Sequence, residues 1–413
     1  MRILHLGKFF PPHPGGIERF VADLAAAQAA QGMAVRVLAH AEPGTRHSEH
    51  LQRDGVAVDL AACHGHLIYA PVSPAFPRLL ARAIREFRPD VLHIHVPNTS
   101  AFWALLLPAA RRLPWIVHWH ADIPLDSRRR ALRLAYRVYR PWEQALLRRA
   151  RAIIATSQAY ADSSAALAPW RDKVRVVALG LSPSSAALRA TTSPARGEVE
   201  NCEPLSPRGR GDGERGQTPW PVPSLRLLAV GRLSYFKGFD VLLRALAQVP
   251  QASLALIGDG ECGAALRALA TQLGIDARVQ FIGRLDMDAA GAARLGAAYA
   301  QADVFCLPST ERAESFGMVL LEAMRAGKPT IASDIPGSGV GFVVRDGETG
   351  LLVRPGDADA LAAAIRRLAS DAGLRERLGA AGRERFQREF TLERIAPQIA
   401  DLYLKSAVRT TAS

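Results

Sequence analysis

The sequence has little cysteine: four residues, Cys63, Cys202, Cys262 and Cys306, scattered through 413. None stands at zinc-finger or redox spacing from another, so no disulfide framework or thiolate metal site is indicated, and the usage fits a reducing compartment. Long apolar runs are also missing. The best candidate, Ala101 to Ala110, contains Pro108 and stops at Arg111 and Arg112, far short of the roughly 20 residues that cross a bilayer. Met1 to Gly7 is too short an apolar stretch for a signal peptide, with Pro11 and Pro12 close behind. No Gly-x-Gly-x-x-Gly fingerprint follows the first apolar run. Acid is the scarcer charge, 39 Asp and Glu against 52 Lys and Arg, which leaves a net charge of +13. That balance suits an anionic partner: a nucleotide, a nucleic acid or an acidic lipid surface. No nucleic-acid reader motif is present, so nucleic acid is not expected as a partner.

What remains is a long, apolar-rich chain with alternating strand and helix signals. Arg2 to Leu6 reads as a strand, Ile17 to Leu24 opens a helix of period 3.6, and Val35 to Ala39 is a second strand. This is a βαβ start. Thr191 to Ser224 is rich in Pro, Gly, Arg and Glu and has almost no apolar periodicity, which reads as a linker or disordered insertion. A second βαβ series begins at Leu225. The expected architecture is α/β, with two doubly wound Rossmann-like domains facing each other across a cleft. The boundaries expected are 1–185 for the first domain, 186–224 for the insertion and 225–390 for the second. A helix and tail at 391–413 would pack back toward the first domain.

Chemistry-bearing residues fall at strand ends. Val304 to Pro308 reads as a buried strand and Met318 to Arg325 as a helix, with Thr310 to Gly317 between them. Glu314 and Glu322 bracket the helix start, which offers backbone N–H groups and a positive dipole end to an anion. Eight helical residues would set two carboxylates about 80° apart and about 12 Å along the axis. They are therefore not a close acid/base pair, and surface charge is the plainer reading when they are taken alone. Arg232 and Lys237 follow the strand Leu225 to Val230, where two cations can clamp a diphosphate. Gly15 and Gly16 precede the first helix, either as a turn or to let backbone approach a phosphate. Two strands end in His-x-His, at His93 and His95 and at His118 and His120. Structural histidines, a metal site and a ligand contact by His120 are all compatible with that pattern. Asp286-Met287-Asp288 has a cation-binding spacing but precedes an alanine-rich helix, which favours a cap. Arg128 to Arg151 is arginine-dense and mostly helical, with an interruption expected at Pro141. It reads either as a solvated face or as a surface that docks on anionic lipid.

In this order and at these strand ends, four pieces resemble the retaining family 4 glycosyltransferases of the GT-B fold. They are Pro14 to Arg19, Val230 to Asp240, Ile257 to Glu261, and the Glu-x7-Glu of Glu314 and Glu322. The resemblance spans nearly the whole chain apart from Thr191 to Ser224. It implies that Gly15, Gly16, Arg232 and Lys237 meet the donor diphosphate, and that Glu314 holds the transferred sugar. Phe316, Gly317, Met318 and Val319 would present backbone to sugar and phosphates. Glu322 would take the ribose hydroxyls, Gly283, Arg284 and Leu285 would border the base, and His120 would lie near the sugar. The implied catalytic set is His120, Glu314, Arg232 and Lys237, with no metal and no cofactor. The segments around His118 to Asp122 and Ala152 to Ser157 look most like bacterial O-antigen or exopolysaccharide mannosyltransferases. That points to a GDP- or UDP-sugar donor, mannose first, and to a lipid-diphosphate-linked saccharide acceptor. The expected location is cytoplasmic, peripheral to the inner face of the membrane. A sugar-nucleotide epimerase or a non-catalytic sugar-nucleotide-binding subunit is the alternative. Many relatives carry Pro-Asn-Gly where this chain has Ala178-Leu179-Gly180.

Overall fold

A computed structural model of the chain describes residues 1–67, 70–123, 130–183, 225–286 and 288–408. The insertion from 186 to 224 lies outside the described residues, as do Arg128, Arg129, Met287 and the tail from 409 to 413. The chain forms two compact units, Met1–Ser182 with Phe390–Ser413, and Pro183–Glu389.

In the first unit the strands are β1 (Arg2–Phe9), β2 (Ala34–His40), β3 (Glu49–Arg53), β4 (Val56–Ala61), the two-residue strands β5 (His66–Leu67) and β6 (Ala70–Pro71), β7 (Val91–Val96), β8 (Trp115–Trp119), β9 (Ala152–Ala155) and β10 (Val174–Val176). Eight of them build one sheet in the order β10-β9-β8-β7-β1-β2-β4-β3, and only the β3–β4 pairing within it is antiparallel. Strands β7, β8 and β9 are buried along their whole length. Such unbroken burial is what a parallel sheet covered on both faces requires. The first helix, Gly16–Ala30, lies on one face and buries Phe20, Val21, Leu24, Ala25 and Gln28. The C-terminal helix, Leu392–Val408, belongs to this unit and meets it through Tyr403, whose hydroxyl accepts from Gln28 Nε2 at 2.9 Å.

The second unit carries β11 (Leu225–Val230), β12 (Ala252–Ile257), β13 (Val279–Gly283), β14 (Val304–Leu307), β15 (Thr330–Ser333) and β16 (Gly350–Val353), ordered β13-β12-β11-β14-β15-β16 and parallel throughout. The order reverses between β11 and β14, the switch point of an open α/β sheet, where ligands bind. Leu227, Leu254, Val304 and Ile331 from the strands pack with Leu242, Leu246, Leu361 and Ile365 from the helices to form its core.

The arginine-rich segment corrects one expectation. It is a single helix, Arg130–Arg149, that runs through Pro141. A mid-helix proline removes one backbone hydrogen bond and costs about 3 kcal/mol. Contacts on either side offset it: Leu146 and Leu147 are buried, and the Tyr136 hydroxyl donates to Glu143 Oε2 at 2.9 Å across the proline.

The ends of β11 and β12 approach so closely that only glycine fits. Gly258 has φ +142°, and a Cβ there would lie 1.8 Å from the Gly231 carbonyl oxygen. Gly258→Ala is expected to cost about 3 kcal/mol in urea denaturation. Gly274→Ala, at φ +65° with nothing within 4 Å, is expected to cost only about 1 kcal/mol. Equal losses would contradict this reading of the strand ends.

Candidate active site

In the second unit the loops after β11 and β14 meet. Thr310 N donates to the Phe236 carbonyl at 2.8 Å, which fastens one loop to the other. The fastening brings Lys237 to Glu314, 77 residues apart in sequence: Lys237 Nζ donates to Glu314 Oε2 at 2.5 Å, and Ser309 Oγ donates to the same oxygen at 3.0 Å. The two charged side chains are only 13% and 10% exposed. Removing one member of such a pair strands the other, at a cost of about 3–5 kcal/mol. Arg232 is exposed on the same loop as Lys237, and among the described residues no carboxylate pairs with it.

Beyond Glu314 the chain turns into the helix Met318–Arg325. Gly317, at φ +83°, caps it without a side chain, and Phe316 beneath is 1% exposed. The helix thus begins shortly after Glu314 in the chain, and a helix N-terminus offers backbone N–H groups and a positive dipole end suited to phosphate. Glu322 lies one turn in and is 7% exposed; Tyr299 donates its hydroxyl to Glu322 Oε2 at 3.0 Å. Gly283 ends β13 at φ +82°, and its carbonyl accepts from Gly258 N at 2.9 Å. Arg284 after it is exposed and Leu285 is half-buried. Asp288 caps the following helix, accepting from Gly291 N at 2.7 Å.

In the first unit Gly15 and Gly16 are exposed at the start of the helix Gly16–Ala30, with Gly15 extended at φ 168°. His120 is 1% exposed. Its Nε2 is 2.9 Å from His95 Nδ1, and Phe20 covers it edge-on. Burial lowers its pKa to about 3, so the imidazole is neutral near pH 7. Asp122 is used structurally, accepting from Trp119 Nε1 at 2.8 Å and Ser164 Oγ at 2.7 Å.

Sequence reasoning missed His5, Gln28 and Tyr403, which join the histidines. It also missed Ser309 and Tyr299, which hold the two glutamates. The only advance signal was His5 inside an otherwise apolar strand.

The profile described as "Glycosyl transferase 4-like domain" matches residues 15–180. The one described as "Glycosyl transferases group 1" matches residues 212–385. A phosphatidyl-myo-inositol mannosyltransferase of Mycobacterium leprae is 32% identical over 94% of this chain and 93% of its own. The chain belongs to the group 1 glycosyltransferases. This glycosyltransferase is also 28% identical to O-antigen chain mannosyltransferase C of Escherichia coli, over 98% of each. Its structure resembles that of a sucrose-phosphate synthase from Thermosynechococcus elongatus, with a TM-score of 0.75, 25% identity and full coverage of both chains. The fold is the α/β GT-B fold with two Rossmann-like units.

The glycosyltransferase also has a cavity of about 390 Å³ away from these residues, at the amino-terminal edge of β9 and β10. Arg148, Arg149, Arg151, Lys173 and Arg175 line it with one acid, Asp172. Burial and the neighbouring cations lower the pKa values of Arg149 and Lys173.

One buried acid has a pH signature. Glu143 is 3% exposed, and burial pushes its carboxyl up from 4.5 to about 7, against the pull of the Tyr136 hydrogen bond. The folded state keeps this proton where the unfolded chain has released it. Stability is therefore lost as pH rises from about 4.5 to 7. Glu143→Gln is expected to gain about 2 kcal/mol over the parent at pH 8 relative to pH 5. Urea midpoints at the two pH values check this, and a pH-independent difference would contradict it.

Proposed function

We propose that this glycosyltransferase moves a hexose, mannose first, from a nucleoside-diphosphate sugar to a lipid-linked or polysaccharide acceptor. Transfer proceeds with retained configuration and without a metal. The observation that carries the reading is the buried Lys237–Glu314 pair, formed where two strand-end loops meet just ahead of the helix Met318–Arg325 in the chain. The names of the two mannosyltransferase relatives support the sugar and the class of acceptor.

Lys237 and Arg232 neutralise the donor diphosphate, with N–H groups from Phe316 to Val319 beside them. Glu314, oriented by Ser309, accepts hydrogen bonds from sugar hydroxyls. Glu322, held by Tyr299, takes the ribose hydroxyls, and Gly283, Arg284 and Leu285 border the base. In the first unit Gly15 and Gly16 offer backbone to phosphate, and His120 serves the sugar through Nδ1. The anomeric carbon–phosphate oxygen bond breaks and the nucleoside diphosphate leaves with the electron pair. The acceptor oxygen bonds the same carbon from the same face, and its proton passes to the departing phosphate oxygen. The cations and helix N–H groups stabilise the charge that develops there.

The arginine-rich helix supplies the membrane contact. Leu134 and Val138 are 64% and 70% exposed. With Trp142 they form a stripe at i, i+4 and i+8, flanked by exposed Arg133, Arg137 and Arg140. Exposed Trp103 and Leu106 add to the apolar side. Apolar residues among cations match an anionic bilayer surface.

Glu314→Ala is expected to lower transfer at least about 100-fold while nucleoside-diphosphate affinity is kept or rises, because the stranded Lys237 gains a phosphate partner. Steady-state kinetics and calorimetry with GDP and UDP check this; unchanged turnover would remove the sugar-holding role. Flotation with vesicles containing phosphatidylglycerol is expected to carry the protein upward at low salt, and Arg133→Glu with Arg137→Glu to abolish it. Flotation that ignores both lipid charge and salt would remove the membrane reading.

A further inference from the structure

His5, His93, His95, His118 and His120 share one face of β1, β7 and the end of β8, each at most 1% exposed. They form two rows. His5, His95 and His120 run edge to edge, with nitrogen–nitrogen distances of 3.0 and 2.9 Å and ring planes 18° and 17° apart. His93 and His118 stack on that row, with centroids 4.3 Å from His95 and 4.2 Å from His120. Three imidazoles lie within reach of one another twice over. Parallel stacked rings nevertheless direct their lone pairs side by side. A tetrahedral ion needs donors that converge from roughly 3.4 Å apart, so the cluster is not arranged as a metal centre.

It is arranged as an ordered chain of protons. Burial holds all five rings neutral, so each has one N–H and one acceptor nitrogen, and every hydrogen bond dictates the next. The Tyr403 oxygen is 2.5 Å from His93 Nδ1. A phenol is a better donor than a neutral imidazole and a poorer acceptor, so Tyr403 donates. Its oxygen then accepts from Gln28 Nε2 at 2.9 Å, and Gln28 Oε1 accepts from His5 Nε2 at 2.8 Å. His5 Nδ1 accepts from His95 Nε2, and His95 Nδ1 accepts from His120 Nε2. The chain ends at His120 Nδ1, for which the described residues offer no partner; His93 Nε2 and both nitrogens of His118 also have none, but no hydrogen bond links them to this row.

We propose that Tyr403 and Gln28 are positioning residues that fix the proton of His120 on Nε2 and keep Nδ1 as an acceptor for a substrate hydroxyl. The consequence for transfer rests on the role of His120 proposed above; the proton order does not. Removing the Tyr403 hydroxyl leaves the Gln28 amide N–H buried without an acceptor. An unpaired carbonyl oxygen is better tolerated than an unpaired N–H. The amide therefore turns to donate to His5 Nε2. His5, His95 and His120 then each carry their single proton on Nδ1, and His120 presents N–H where it had a lone pair.

Two-bond ¹H–¹⁵N spectra of the full-length protein with ¹⁵N-histidine test this, with His120 assigned by His120→Asn. The wild type is expected to show His120 protonated at Nε2. Tyr403→Phe is expected to show it at Nδ1, with kcat at least about tenfold lower and donor KM within about twofold. Gln28→Met, which cuts the chain, is expected to show both tautomers. A wild-type proton on Nδ1, or an unchanged tautomer in Tyr403→Phe, overturns the proposal. Inversion with unchanged kcat overturns the positioning role. A wild type that transfers no sugar defeats the proposed function instead, and the spectra still decide the proton order.

Discussion

A parallel sheet covered on both faces leaves one edge for polar chemistry, and both units of this glycosyltransferase are built under that constraint. Strands such as β7 and β14 are buried throughout, so their hydrogen-bonding needs are met within the sheet and their side chains pack. Polar residues collect where strands end and helices begin. In the second unit that edge gathers Arg232, Lys237, Ser309, Glu314 and Gly317 on two loops fastened by Thr310. The buried Lys237–Glu314 pair is the electrostatic centre of the arrangement. It is stable only because each charge has the other, and a phosphate arriving beside Lys237 would meet a cation already oriented and largely stripped of water.

The first unit adds polar groups inside its sheet as well as at the edge. Five imidazoles occupy positions where the alternation of β1, β7 and β8 would ordinarily put apolar residues. Hydrogen bonds to one another, to Gln28 and to Tyr403 satisfy six of their ten nitrogens, and among the described residues His118 is held by stacking alone. Gln28 on the first helix and Tyr403 on the last extend the network beyond the sheet. The C-terminal helix thereby belongs to the polar interior of this unit as well as to its packing.

Much of this was legible in the sequence, for local reasons. Val304 to Leu307 reads as a strand because it is an unbroken apolar run. Asp288 reads as a cap because it precedes a helix with no competing acceptor. Glu314 and Glu322 read as separate groups because their spacing rules out a close pair. The contacts that were not legible are non-local. Nothing near Lys237 announces Glu314, and nothing near Tyr403 announces Gln28, 375 residues away. Pro141 misled because the local rule is sound: the helix continues only through contacts across the proline that sequence spacing does not reveal.

Retaining transfer from a nucleoside-diphosphate hexose is the central claim, and the anomeric configuration of the product tests it most directly. Purified protein would be supplied with GDP-α-mannose and a lipid-linked saccharide acceptor, and the new linkage read by NMR from the one-bond ¹³C–¹H coupling at the anomeric carbon, because the equatorial H2 of mannose keeps the H1–H2 coupling small in both anomers. An α-linked product, formed at an undiminished rate in the presence of EDTA, is the predicted result. A β-linked product, or none from any GDP- or UDP-hexose, would contradict the account.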